Sequence, residues 1–406
     1  MINVKSEIKP LKKVLLHRPG EELLNLTPDT FATLLFDDIP YLKIARKEHD
    51  EFAKILSDNG VEVVYLEDLV TEVLDSDPEI KDKFIRQFVK EAGIKSKKYR
   101  EAVIDYLNSF GDTKELVLKT MSGININDIT SLEKDSQHSL VDHVMENSKF
   151  LADPMPNLVF TRDPFASIGH GISLNKMYSI TRNRETIYAE YIFEYHKDYK
   201  GTKKYYDRYN DNHIEGGDIL ILSDHVIAIG ISQRTQAESI ELIARNIFKE
   251  TDNTFDTILA FNIPNTRAFM HLDTVFTQID NDKFTYHPGI MDTLQVFEIT
   301  EGSHNKINVK EINDSLENIL ENYLDRAITL IPCGGGDKII SEREQWNDGS
   351  NTLCIAPGVV VVYDRNNVTN DILRKYGIKV LEMPGSELSR GRGGPRCMSM
   401  PLERED

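Results

Sequence analysis

Apolar residues run without interruption through Val14-Leu15-Leu16 and stop at His17-Arg18-Pro19-Gly20, which predicts a strand running into a turn. Over 41–58 the apolar spacing widens to the helical period, with Ile44, Phe52, Ile55 and Leu56 on one side. Asn59-Gly60 ends that helix, and Val61-Glu62-Val63-Val64-Tyr65-Leu66 reads as a second strand. From about Asp68 to Met145 the strand signal fades. Phe84, Phe88 and Val89 recur at helical spacing, as do Val103, Ile104 and Leu107, then Leu116, Val117 and Met121; Gly93, Gly111 and Gly123 interrupt them. This pattern predicts a bundle of short amphipathic helices over 68–150, inserted into an α/β domain made of 1–67 and 151–406. The aromatic stripe of the bundle reads as core, with a lid or a subunit contact as the alternatives.

After residue 150 one pattern recurs: strand, tight turn, strand. Asn157-Leu158-Val159-Phe160-Thr161-Arg162-Asp163-Pro164 leads to Phe165-Ala166-Ser167-Ile168-Gly169. Gly216-Gly217-Asp218-Ile219-Leu220-Ile221 leads to Val226-Ile227-Ala228-Ile229-Gly230, and a helix over 236–250 follows. His271-Leu272-Asp273-Thr274-Val275-Phe276-Thr277 leads to Phe284-Thr285-Tyr286. These units begin roughly 55–60 residues apart. Leu330-Ile331-Pro332 and Val359-Val360-Val361-Val362-Tyr363-Asp364 supply strands for a later, more divergent unit. Repeated β-rich units with one helix each point to radial packing about an axis.

Composition narrows the function classes. The 406 residues carry a net charge of -18, which argues against a general phosphate-binding surface and so against nucleic acid as partner. Cys333, Cys354 and Cys397 are odd in number and far apart, so they form neither a disulfide framework nor a zinc-ligand spacing. Cys333 and Cys354 read as structural. The first thirteen residues lack the apolar core of a signal peptide, and no run of about eighteen apolar residues suggests a membrane span. A reducing cytoplasm is the expected compartment.

Four stretches carry candidate chemistry. Arg390-Gly391-Arg392-Gly393-Gly394-Pro395-Arg396-Cys397 is a loop in which three arginines flank one cysteine. Nearby cations stabilise a thiolate, the nucleophilic form; a mobile Arg/Gly tail with an incidental thiol is the bland alternative. His271-Leu272-Asp273, read as a strand, puts His271 and Asp273 on one face and Leu272 in the core. A carboxylate raises the basicity of a neighbouring imidazole, which suits general acid–base work and equally a structural pair. In Phe160-Thr161-Arg162-Asp163-Pro164, the proline biases Asp163 toward extended geometry, sharing a face with Thr161, while a salt bridge to an arginine is its bland reading. In Glu215-Gly216-Gly217-Asp218, two glycines permit close approach and open the carboxylates to a ligand; otherwise the stretch is a turn before a strand. Two further features read as structural: His17 at its strand end, and Asp37-Asp38 as partner to an arginine across the core.

Radial units would bring Cys397, His271, Asp163, Glu215 and Asp273 into one pocket. Carboxylates pair bidentately with a planar guanidinium, and a Cys–His pair suits covalent catalysis. Together they imply attack on a guanidinium carbon, and the arginines of the 390–396 loop would bind a carboxylate at the other end of the substrate. A guanidinium at one end and a carboxylate at the other describes arginine.

The combination of FTRDP (160–164), HIEGGD (213–218), HLDTVF (271–276) and RGRGGPRCMSMP (390–401) resembles the bacterial arginine deiminase family of the guanidino-group-modifying (pentein) superfamily. The likeness extends to KKVLLHRPG (12–20), LLFDD (34–38) and the helical insertion. It implies an α/β fold: a five-bladed, pseudo-fivefold α/β propeller with an inserted all-helical domain. It also implies hydrolysis of L-arginine to L-citrulline and ammonia, without cofactor or metal, in a homodimer or larger assembly. Carried over by motif, Cys397 is the nucleophile and His271 the acid and then the base. Asp163 and Asp273 hold the guanidinium nitrogens, and Glu215 binds the guanidinium and assists proton movement. Asn157, Phe160, Arg182, Arg234 and Arg392 match substrate-site positions, the three arginines binding the α-carboxylate, with Leu35 and Gly391 as further contacts.

Rival readings are an agmatine deiminase or an amidinotransferase of the same superfamily, a Cys–His peptidase, and RNA binding through the Arg/Gly loop. Three carboxylates around the thiol fit a peptidase poorly, and the net charge opposes RNA.

Overall fold

The computed structural model describes residues 1–129 and 149–406, with Asp292 excepted. The part of the expected insertion at 130–148, Met145 included, lies outside the described residues.

Five sheets repeat one wiring: an antiparallel strand pair, a crossover helix, and a third strand parallel to the second. In one, Phe165–Ile168 pairs antiparallel with Gly171–Leu174, the helix Thr186–Tyr195 crosses over, and Lys203–Tyr206 returns parallel. The next uses Ile219–Ile221, Val226–Ile231, the helix Ala237–Phe248 and Thr257–Asn262, and is widened by Gln295–Glu301 and Ile307–Ile312. Another uses Phe276–Gln278, Lys283–Tyr286, the helix Leu316–Leu324 and Thr329–Pro332. A further one uses Leu353–Ala356, Val359–Tyr363, the helix Asn367–Lys375 and Lys379–Met383. The remaining sheet joins both chain ends. Met400–Arg404 pairs antiparallel with Leu11–Leu16, which reaches the parallel strand Glu62–Tyr65 through the helix Leu42–Asp58. The apolar runs are buried on both faces because each sheet lies between its crossover helix and its neighbours.

Among the described residues of the expected insertion, four helices follow Tyr65: Leu66–Ser76, Pro78–Glu91, Lys97–Asn108 and Thr113–Ser122. Their boundaries are local chemistry. Asp77 accepts from the Glu79 N–H ahead of Pro78, and Asp112 accepts from the Glu115 N–H. Gly123 ends the run at φ +87, where a Cβ would lie 2.7 Å from the Pro154 nitrogen. The aromatic stripe is core: Phe84 and Phe88 are buried, and Phe84 meets Tyr191 of a crossover helix edge-on at 5.1 Å. Among the described residues no helix is long and apolar enough to cross a membrane.

Two local expectations are corrected. Residues 156–159 and 272–274 are 3-10 turns, and the strands begin only at Phe165 and Phe276. Side-chain alternation therefore does not apply to Asp163, His271 or Asp273.

Candidate active site

The loop before the first strand of each sheet reaches the same end of the molecule, and these loops are tied into a closed ring. The Arg162 N–H donates to the Cys397 carbonyl (3.1 Å) and the Gly216 N–H to the Asp163 carbonyl (3.2 Å). The Leu272 N–H donates to the Asp218 carboxylate (2.8 Å). Asn351 closes the ring: its Nδ2 donates to the Asp273 carbonyl (3.1 Å), and its Oδ1 accepts from the Cys397 N–H (3.0 Å).

A cavity of about 240 Å³ opens at the centre, a small-molecule volume. Leu35, Asn157, Phe160, Asp163, Arg182, Arg234, His271, Gly391, Arg392 and Cys397 line it. Asp37, Tyr178, Gln233, Met270 and Thr274 also line it, and the sequence reading did not assign them to the site. Glu215 and Asp273 stand directly behind, within reach of the His271 ring and the Cys397 sulfur respectively.

Glycines make this crowding possible. A Cβ on Gly217 would lie 2.6 Å from His271 Nδ1, and one on Gly216 would lie 2.0 Å from the Arg162 carbonyl oxygen. At the mouth, Gly393 lets the C-terminal loop cross the face of Phe160, where a Cβ would lie 2.3 Å from the ring. Leu35 holds left-handed backbone at φ 57, and the carbonyl before it accepts from Asn157 Nδ2 at 2.6 Å.

The imidazole sits between acids. His271 Nε2 lies 2.9 Å from Glu215 Oε2, and its Nδ1 lies 3.8 Å from Asp163 Oδ1. Burial opposes charge on the ring, but Asp163, the Glu215 hydrogen bond and Asp218 outweigh it and raise its pKa to about 9. Burial also works against ionised Glu215, yet Arg234, His271 and Arg182 hold it well below the usual carboxylate range. Arg182 Nη1 donates to Asp163 Oδ2 at 2.9 Å and its other edge grips Glu185, so it is fixed as well as charged. Arg234 Nη1 reaches Glu215 at 3.4 Å. Ligand atoms of Asp163, Glu215 and His271 fall within 4.8 Å of one another, a spacing a cation could bridge, although the Arg182 guanidinium already occupies one side of it.

The thiol departs from expectation. Cys397 is buried, and its Sγ lies 3.7 Å from Asp273 Oδ2. Burial, then Asp273, Asp163 and Asp348, push its pKa well above the usual thiol range, against the weaker pull of Arg396. The flanking arginines do not supply a thiolate, because two of them are engaged elsewhere. Arg396 donates to Asp273 at 2.7 Å and to Glu7 at 3.1 Å. Arg390 pairs with Asp38 and Glu387 near the surface, so the Asp38 pairing is with an arginine but not across the core. Only Arg392 of the three lines the cavity. Cys333 and Cys354 are buried free thiols, pushed up to about 11 and about 12 by burial.

Solved structures share this architecture at low identity. An amidinotransferase from Microseira wollei is similar over 100% of this chain and 98% of its own, with a TM-score of 0.56 at 16% identity. A dimethylarginine dimethylaminohydrolase is similar over 96% of this chain and 99% of its own, with a TM-score of 0.53 at 14% identity. The repeated sheets and the ring of loops around a buried thiol thus define a pentein-fold protein. Sequence carries the assignment further. The family model for arginine deiminase matches residues 32–404. The arginine deiminases of Treponema denticola and Clostridium perfringens are 62% and 57% identical to this chain over all of its length and 99% and 98% of theirs. The chain belongs to the arginine deiminase family.

Proposed function

We propose that this chain hydrolyses L-arginine to L-citrulline and ammonia. The observation that carries the reading is the charge around one small cavity: a neutral thiol and a protonated imidazole among Asp163, Glu215 and Asp273. A planar cation with several N–H donors suits that set, and its arrival lowers the cost of ionising Cys397. Asp163 and Asp273 hold the guanidinium nitrogens, and Asn157, Phe160, Leu35 and Gly391 wall the slot. Arg392 binds the α-carboxylate; Arg182 and Arg234, expected to join it, are taken up by Asp163, Glu185 and Glu215 and set the field at the inner end. As the guanidinium seats, Cys397 gives its proton to water, and the thiolate attacks the guanidinium carbon, forming a C–S bond. His271, held by Glu215, protonates the departing nitrogen, which leaves as ammonia. The neutral imidazole then takes a proton from water as the water oxygen attacks the same carbon. Collapse breaks the C–S bond, releasing citrulline and restoring Cys397.

The reading extends to a reaction without metal or cofactor, a cytoplasmic location, a homo-oligomer, and a catalytic unit of 1–67 and 151–406 carrying the helical segment 68–150. The free buried cysteines favour a reducing compartment. The five repeated sheets fall outside 68–150, which supports the division. The deciding experiment measures citrulline and ammonia from L-arginine with a metal chelator present and Cys397→Ser alongside. Equal molar products, unaffected by chelator and absent in the variant, are expected. No citrulline from folded wild-type protein overturns the substrate, and agmatine or an added amine acceptor is then the next trial.

A further inference from the structure

Trp346 is the single tryptophan of the chain. It ends the helix Lys338–Trp346 and keeps 47% of its surface exposed, so it is not a core residue. One face of its indole is nevertheless covered: Arg392 Cζ lies 3.4 Å from the ring centroid. Arg392 is buried, lines the cavity, and stands in left-handed backbone at φ 61 just after the turn Leu388–Gly391. Asp37 lies 3.8 Å from its Nη1, and buried Asp348 feels its charge. An aromatic face holds a guanidinium by its plane and leaves the N–H edges for acceptors.

We infer that Trp346 is a positioning residue for substrate recognition: its indole fixes the plane of Arg392 so that the N–H edge meets the carboxylate of an amino-acid substrate. The inference deepens the deiminase reading and rests on it. A carboxylate on Arg392 alters the charge over the indole, so the emission of this one tryptophan reports occupancy at the carboxylate end. Agmatine, which carries a guanidinium and no carboxylate, leaves that end empty.

Steady-state kinetics of wild type, Trp346→Ala and Trp346→Phe test this, together with fluorescence titration of Cys397→Ser. Trp346→Ala is expected to raise KM for L-arginine about tenfold, the scale of one cation–π contact, with kcat falling less than about threefold. Trp346→Phe, which still offers a ring face, returns KM to within about threefold of wild type. Inhibition by agmatine is the same in all three. In Cys397→Ser, L-arginine changes the emission saturably and agmatine does not. An unchanged KM in folded Trp346→Ala overturns the inference, as does equal weakening of arginine and agmatine. No citrulline from wild type overturns the deiminase reading, and this inference with it; citrulline formation with an unaltered Trp346→Ala overturns the platform alone.

Discussion

His271 Nε2 and Glu215 Oε2 lie 2.9 Å apart, both buried, and the acids around the imidazole favour its protonated form. The proposed catalytic acid is thus charged before substrate arrives. With the folded pKa raised to about 9 from an ordinary 6.5, kcat/KM should fall as pH rises through about 9. The same proton stabilises the fold. Its contribution is full below about pH 6.5 and is lost as pH rises through about 9. Glu215→Gln should move the basic limb of the rate profile downward by about one pH unit or more, read from kcat/KM across pH. His271→Ala should slow turnover by about 10²–10⁴-fold. Near-normal turnover in that variant would remove the histidine from the mechanism.

Gly217→Ala is a sharper test of geometry than removing a catalytic group. The added carbon would sit 2.6 Å from His271 Nδ1, and the ring must move. Turnover should fall about 10²-fold, with stability reduced by about 1–3 kcal/mol in a thermal melt. Wild-type turnover would mean that the ring has slack the structure does not display.

Arg392→Ala separates the two ends of the substrate. The KM for L-arginine should rise at least about tenfold, while the affinity for agmatine stays within about threefold. Parallel competition assays read both, and equal losses would place Arg392 at the guanidinium end.

His17 is a stability element outside the cavity lining. Fully buried at the end of the strand Leu11–Leu16, it meets Glu67 at 2.8 Å and Glu22 at 3.3 Å. Burial opposes its charge, but these two acids raise its pKa to about 10. Below about pH 6.5 its stabilisation is complete, and it is lost as pH rises through about 10. His17→Gln leaves two buried carboxylates without their cation and should cost about 3–5 kcal/mol in denaturant unfolding, with kcat retained in the folded fraction. Unfolding indistinguishable from wild type would show that water reaches the acids.

The residues proposed to do the chemistry were legible because they lie in short strings of unusual composition: Asp163 before a proline, Glu215 before two glycines, His271 two places from Asp273. Their local conformation was not legible. A period-two reading of His271-Leu272-Asp273 misses the 3-10 turn, in which Asp218 takes the Leu272 N–H and Thr274 Oγ1 donates to the His271 carbonyl. The partners of the loop arginines were hidden for a different reason. Arg396 meets Glu7 from 389 positions away and Asp273 from 123, and no local pattern reports contacts of that range. Trp346 escaped notice because an exposed tryptophan ending a helix carries no motif; its meaning depends on Arg392 lying over it.

Cys397, the proposed nucleophile, stands three places before the strand Met400–Arg404, and that strand pairs with Leu11–Leu16. During synthesis Leu11–Leu16 and its parallel partner Glu62–Tyr65 are therefore made long before the antiparallel neighbour. Cys397 takes its place only when Met400–Arg404 zips onto Leu11–Leu16. A chain cut just before Met400–Arg404 would keep the strands of the other four repeated sheets and lose the strand that anchors the Cys397 loop.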